Sequence, residues 1–279
     1  MAGTGPATLI TRADVLAALA GSAGVVDSSE EESIDPGQRP VEAAGTAGET
    51  RTPIRGMRKH TAAAMVASAF TAPHVTEFLT IDVTPTMDLL AELKSSRAFE
   101  GTRVTPLTIV AKAVCIAIAR NPTVNSSWDE QAQEIVQYAD ANLGIAAATP
   151  RGLLVPNIKA AQSLTMVDLA RALGSLTETA RAGKTPPTDL AGGTISITNI
   201  GMFGIDAGTP ILNPGEAAIL AMGAVRSTPW EYQGSVALRS VMTLSLSFDH
   251  RLVDGEQGSR FLADVGTIRR NPAMVLTMV

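Results

Sequence analysis

The sequence predicts one compact α/β unit over residues 53–279. Short runs rich in β-branched residues alternate between apolar and polar positions. The clearest lies at 242–249, where Met242, Leu244, Leu246 and Phe248 interleave with Thr243, Ser245, Ser247 and Asp249. Longer runs with helical spacing stand between them. The two kinds of element mix without a regular βαβ repeat and without a glycine-rich nucleotide fingerprint.

Taken in order, "TLITRADVLAALA" (8–20) can form a helix. Thr11 caps it, Asp14 stands three positions on, and Val15, Leu16 and Leu19 make its apolar stripe. Such a helix is too short for a core of its own. Residues 21–52 lose all periodicity. Gly, Ser, Glu, Pro and Ala dominate, which makes this a flexible linker with an acidic patch. The compact unit then opens with a helix at 55–70. A strand rich in β-branched residues follows at 74–84. Helices are expected at 86–96 and, mostly buried, at 105–121. Strands separated by turns follow at 134–138, 143–149 and 152–158. The run 165–183 is a long amphipathic helix with Gly183 near its end. Strands at 192–201, 217–225 and 242–249 complete the sheet. The last helix, 254–271, turns Phe261, Leu262, Val265 and Ile268 inward.

Composition narrows the function. Of 279 residues, 45% are hydrophobic, enough for a substantial core without disulfides. The net charge of −5 is spread along the chain, so no nucleic-acid partner is expected. The single cysteine, Cys115, rules out an intrachain disulfide, fits a reducing cytoplasm and reads as a small buried residue. The longest apolar run, 107–119, contains Lys112 and is too short to span a membrane. The N-terminus lacks signal-peptide features. A cytoplasmic protein is the expectation.

Three histidines are candidates for chemistry. None has a partner His or Cys at metal-ligand spacing, so no metal site is expected. His60, on a helix beside Lys59, reads as a surface residue. His74 follows Pro73 at a strand start and reads as structural. His250 ends the best-patterned strand and leads a turn that closes on Asp254 and Gly255.

That turn reads "DHRLVDG" (249–255). It resembles the signature of the dihydrolipoamide acyltransferases, the E2 components of 2-oxo-acid dehydrogenase complexes. "RGMRKHTAAAM", "TAPHVTEF", "NSSWDE", "LGIAAATPRGLLVPNIK", "DLAGGTISITNIGMFG" and "NPGEAAILAMGAV" resemble successive blocks of the same catalytic domain, in order. The likeness covers essentially all of 53–279. Residues 3–19 look like the second half of a peripheral-subunit-binding domain, so 1–20 is expected to be its remnant. No lipoyl domain is seen, and the chain looks like a fragment of a longer E2.

The resemblance implies a two-layer α/β sandwich with a mixed sheet, similar to chloramphenicol acetyltransferase. It implies acyl transfer between dihydrolipoamide and coenzyme A, the lipoyl group being carried on a domain absent from this chain. A free thiol is mostly protonated at neutral pH, and histidine is the side chain whose ordinary pKa suits a base there. His250 is therefore the expected base. The resemblance implies Thr198 as the hydroxyl that stabilises the oxyanion. Asp254 matches the second acidic position of the signature and is expected to orient the turn or the histidine. Asp249 and Arg251 are expected to form ion pairs that hold the turn. Thr105, Thr198, Asn199, Gly223 and Val225 match family contacts to coenzyme A. Two positions depart from a close relative: Leu90 stands where that protein has an arginine, and Ala148 where it has an aspartate.

The family further implies a homotrimer with its active sites between subunits, assembly into a larger core, and E1 and E3 components as partners. "TAPHVTEFLTIDVT" and "TNIGMFG" look most like branched-chain enzymes, so a branched-chain acyl group is expected. Acetyl and succinyl transfer, a non-catalytic E2-like scaffold and a small-molecule CoA acyltransferase are the alternatives.

Overall fold

The computed structural model describes residues 49–149 and 152–278. The chain divides into two units, 1–52 and 53–279. The expected helix at 8–20 and the linker, up to residue 48, lie outside the described residues.

The second unit opens with helix α1 (Gly56–Thr71), strand β1 (His74–Asp82), α2 (Thr84–Ser95) and α3 (Pro106–Arg120). Seven strands follow: β2 (Ser126–Asp129), β3 (Glu134–Gln137), β4 (Leu143–Ile145), β5 (Ala147–Thr149), β6 (Gly152–Leu154), β7 (Asn157–Ile158) and, beyond α4 (Met166–Arg181) and α5 (Pro187–Leu190), β8 (Ile195–Asn199). Then come β9 (Ala218–Met222), β10 (Arg226–Tyr232), β11 (Ser235–Asp249) and α6 (Gly255–Arg270).

The main sheet has the order β1-β11-β9-β8-β4-β7, with β10 also paired to β11. β8 runs parallel to both β4 and β9, and the other pairings are antiparallel, so the sheet is mixed. Its two faces differ, as the alternation in β11 requires. Leu244, Leu246 and Phe248 join Phe261, Leu262 and Val265 of α6 and the apolar residues of α3 in one core. The opposite face carries hydroxyls that pair across strands: Thr76 with Ser247 at 2.8 Å and Thr80 with Thr243 at 2.9 Å. A two-layer α/β domain with a mixed sheet results. Among the described residues, no helix is long and apolar enough to cross a membrane.

Several element limits differ from expectation, each for a local reason. The expected strand 143–149 breaks at Ala146, and β4 and β5 enter different sheets. The run 152–158 breaks before Asn157. Pro156 has no N–H for a ladder, and its carbonyl accepts from Ile145 at 2.8 Å. β9 stops at Met222 because Gly223 packs against the backbone: a Cβ there would lie 1.9 Å from the Asp206 carbonyl oxygen. β11 starts at Ser235 rather than 242, and β10 was not expected at all. A two-residue turn joins them, with Gln233 and Gly234 both at positive φ. This ribbon is exposed, and Val236 and Leu238 are 80% and 71% accessible, so no buried face marks it in the sequence.

Candidate active site

β11 delivers the turn 249–255. Asp249, its last residue, is 3% exposed, and Arg251 neutralises it. Arg251 Nε donates to both carboxylate oxygens at 3.0 and 3.2 Å, Nη2 donates at 2.7 Å, and its backbone N–H adds a bond of 3.0 Å. Its guanidinium also lies 4.8 Å over the Trp128 ring. The bonds to Asp249 raise the Arg251 pKa above its ordinary value. The Leu252 and Val253 amides both donate to the Asp249 carbonyl, at 2.9 and 3.0 Å. These two side chains are buried, and the turn is fixed from both sides. The expected ion pair is thus present.

His250 sits between these anchors with its side chain exposed. Its backbone N–H donates to the Pro73 carbonyl at 2.9 Å, and its ring stands 6.0 Å from that of Phe248. The backbone is held while the imidazole stays open to a reactant, as a general base requires. Asp254 takes another place. It is the N-cap of α6: its Oδ1 accepts from the Gln257 N–H at 2.8 Å, and Gln257 Oε1 accepts from its own N–H at 2.9 Å. It orients the start of α6 and so the end of the turn.

Thr198 lies in β8 opposite Ala221, which lies opposite Ser245 of β11. It is half-buried, and its hydroxyl has no partner among the described residues. Ser245 stands five residues before His250, so at about 3.3 Å per residue Thr198 and His250 are about 17 Å apart along the strands, with two strand spacings more between them. One chain does not bring the two together. Asn199 is half-buried next to Thr198, opposite Met222.

The other expected contacts have structural surroundings of their own. Thr105 is the N-cap of α3, its N–H donating to Thr108 Oγ1 at 3.2 Å. Gly223 donates to the Thr243 carbonyl at 2.9 Å, and the backbone of Gly201 packs so closely on it that a Cβ would lie 2.4 Å from the Gly223 oxygen. Both positions require glycine on packing grounds alone. Val225 is exposed. Leu90 is buried in a small cluster with Phe99, Val104 and Ile109, and Ala148 is exposed in β5. Leu90 therefore belongs to the core.

Sequence reasoning missed Glu216. It is 8% exposed and forms a closed set with two neighbours. Ser196 Oγ donates to its Oε1 at 2.9 Å, and Asn213 Nδ2 donates to its Oε2 at 3.1 Å and to Ser196 Oγ at 2.9 Å. Burial pushes its pKa up to about 7 against the pull of both hydrogen bonds. Nothing in "NPGE" marks that glutamate as buried. It borders a cavity of about 510 Å³ that also touches Ser68, Leu212, Asp249 and Arg251.

Comparison with known proteins adds to this geometry. The Staphylococcus aureus dihydrolipoyllysine-residue acetyltransferase component of pyruvate dehydrogenase complex is 37% identical over 284 residues, covering 99% of this chain and 66% of that protein. The chain thus spans just under two thirds of that relative. The Azotobacter vinelandii dihydrolipoamide acetyltransferase superposes with a TM-score of 0.79 at 29% identity, covering 87% of this chain and all of that one. Its crystallographic and enzymatic study concerned a serine, a histidine 52 residues later and an asparagine four further on, in the catalytic mechanism. The cubic core of a pyruvate dehydrogenase multienzyme complex gives the same TM-score at 28% identity and the same coverage. The catalytic-domain model of the 2-oxoacid dehydrogenases acyltransferase family matches residues 46–277, and the chain belongs to that family.

Proposed function

We propose that this chain is the catalytic core of an E2 component and moves an acetyl group between dihydrolipoamide and the thiol of coenzyme A. One observation carries the reading. Thr198, His250 and Asp254 stand at the same intervals, 52 and four residues, as the serine, histidine and asparagine studied in the Azotobacter vinelandii enzyme. The exposed imidazole on a fixed backbone supports it. The branched-chain expectation gives way to acetyl, because the Staphylococcus aureus relative is an acetyltransferase component of pyruvate dehydrogenase complex.

In this reading His250 takes the proton of the incoming thiol, and the thiolate attacks the thioester carbonyl. The C–S bond to the outgoing thiol then breaks. That sulfur recovers the proton from the imidazolium, so no net proton is consumed. Thr198 donates a hydrogen bond to the oxygen that becomes negative on the way. Asp254 acts through the helix cap and the turn. Thr105, Asn199, Gly223 and Val225 are the proposed coenzyme A contacts, reached at Gly223 and Val225 through the backbone.

The separation of Thr198 and His250 supports a site shared by two copies, consistent with the homotrimer that the family resemblance implies. A larger core, built as in the similar cubic assembly, and E1 and E3 partners follow from the same reading. The test is steady-state acyl transfer to free dihydrolipoamide from acetyl-, isobutyryl- and succinyl-CoA, with His250→Ala as control. Acetyl preference abolished in the variant is expected. Isobutyryl preference would restore the branched-chain reading, and a folded but inactive wild type would sink catalysis.

A further inference from the structure

His74 reads in the sequence as a structural residue at a strand start. The structure gives it a more specific place. Its Nδ1 lies 2.7 Å from the Ala72 carbonyl oxygen, and its Nε2 lies 3.0 Å from the Leu212 amide nitrogen. A carbonyl only accepts and an amide only donates. Nδ1 therefore carries the hydrogen and Nε2 the lone pair, which fixes one neutral tautomer. A charged imidazolium would turn an N–H toward the Leu212 N–H.

Leu212 is held from both sides of its backbone. Its N–H meets His74, and its carbonyl accepts from the buried Ser68 Oγ of α1 at 2.7 Å. Its side chain is 1% exposed. Leu212 belongs to segment 200–217, which starts directly after Thr198 and Asn199 and leads into β9. The same segment rests on β11 through Gly208, whose N–H lies 3.4 Å from Ser245 Oγ.

The other end of the link is the catalytic turn. His74 is the register partner of Asp249, and the residue before it, Pro73, accepts the backbone N–H of His250. Two consecutive residues therefore tie the His250 turn to the segment that follows Thr198 in the sequence. Pro73 holds the backbone of His250, and His74 holds the wall that follows Thr198. We propose that His74 is a positioning residue that sets this wall against the His250 turn. The proposal rests on the reading of His250 and Thr198 given above.

Hydrogen exchange and kinetics on the assembled protein test it, with His74→Ala and, in case that chain does not fold, Ser68→Ala. Amide exchange across 205–216 should accelerate about tenfold or more, while 242–249 stays as protected as in wild type. For acetyl transfer, kcat should fall about tenfold with KM for coenzyme A changed less than about twofold, because the thiol still binds but meets a displaced wall. A general loss of packing would instead deprotect β11 as well and move both constants. Unchanged exchange at 205–216 overturns the link, and faster exchange with unchanged kcat overturns the positioning role. A wild type without acyl transfer would sink the functional reading and the positioning role with it, while the exchange data would still decide whether His74 ties the segment down.

Discussion

Arg251 embraces the buried carboxylate of Asp249 with two side-chain nitrogens while His250, the residue between them, remains exposed. Charge neutralisation on one side of the turn thus fixes a backbone whose other side presents an imidazole. Arg251→Ala leaves Asp249 desolvated without its counterion. The expected cost is about 2–4 kcal/mol, less than for a wholly buried pair because Arg251 keeps some contact with water. Urea titration would show a lower midpoint with an unchanged slope, and acyl transfer should drop with it. Arg251→Lys should recover little, since an ammonium cannot reproduce the fork.

Thr198 and His250 lie too far apart in one chain to meet on one carbonyl, so the sites should complement across copies. His250→Ala should lower kcat by about 10²–10⁴ and Thr198→Ala by about 10²–10³. Co-refolding the two variants in equal amounts joins an intact His250 from one chain to an intact Thr198 from another. If the partners mix at random, about a quarter of the interfaces are whole and about a quarter of wild-type activity returns. Mixed assemblies, verified by mass, that stay inactive would place the whole site within one chain.

Glu216 makes a pH-dependent contribution whose sign follows from its surroundings. Its pKa rises from the ordinary 4.5 to about 7 on folding. Between those values the folded chain holds more protons than the unfolded one, so this group's contribution to stability falls as pH rises from about 4.5 to about 7. The full effect is on the order of a few kcal/mol. Glu216→Gln removes it and keeps an acceptor for Ser196. The melting temperature of the variant relative to wild type should therefore increase from pH 5 to pH 8. A constant difference across that range would show that Glu216 does not titrate there.

The fold was readable wherever a face is buried. β11 from Met242 onward, α4 and α6 show their periodicity because water is excluded from one side only. β10 and the first half of β11 are exposed on a ribbon, and there no pattern exists to read. The site was legible in part. His250 stands at the end of a patterned strand, and Asp249 with Arg251 forms the pair its spacing suggests. Asp254 looks like a second site carboxylate in the sequence, yet its spacing to Gln257 is also that of a capping box. Glu216 and the two bonds of His74 depend on residues far along the chain, Ser196 and Leu212, and no local spacing announces them.

Phe248 supports the ring of His250 from the core side, and Gly258 of α6 makes room for it. A Cβ at Gly258 would lie 2.6 Å from Phe248 Cε1, well inside contact distance. Phe248 is wholly buried and has nowhere to withdraw, so Gly258→Ala must shift either the ring or the helix. The expected destabilisation is about 1–3 kcal/mol, comparable to overpacking elsewhere in protein cores. The loss of acyl transfer should exceed what that destabilisation implies if His250 is the proposed base, because the ring that moves lies 6.0 Å from the imidazole and small misplacements of a reacting group are costly. Phe248→Leu in the Gly258→Ala background removes the clashing ring edge. It should regain most of the stability but little of the rate. If the double variant recovers both together, Phe248 fills space and does not set the position of His250.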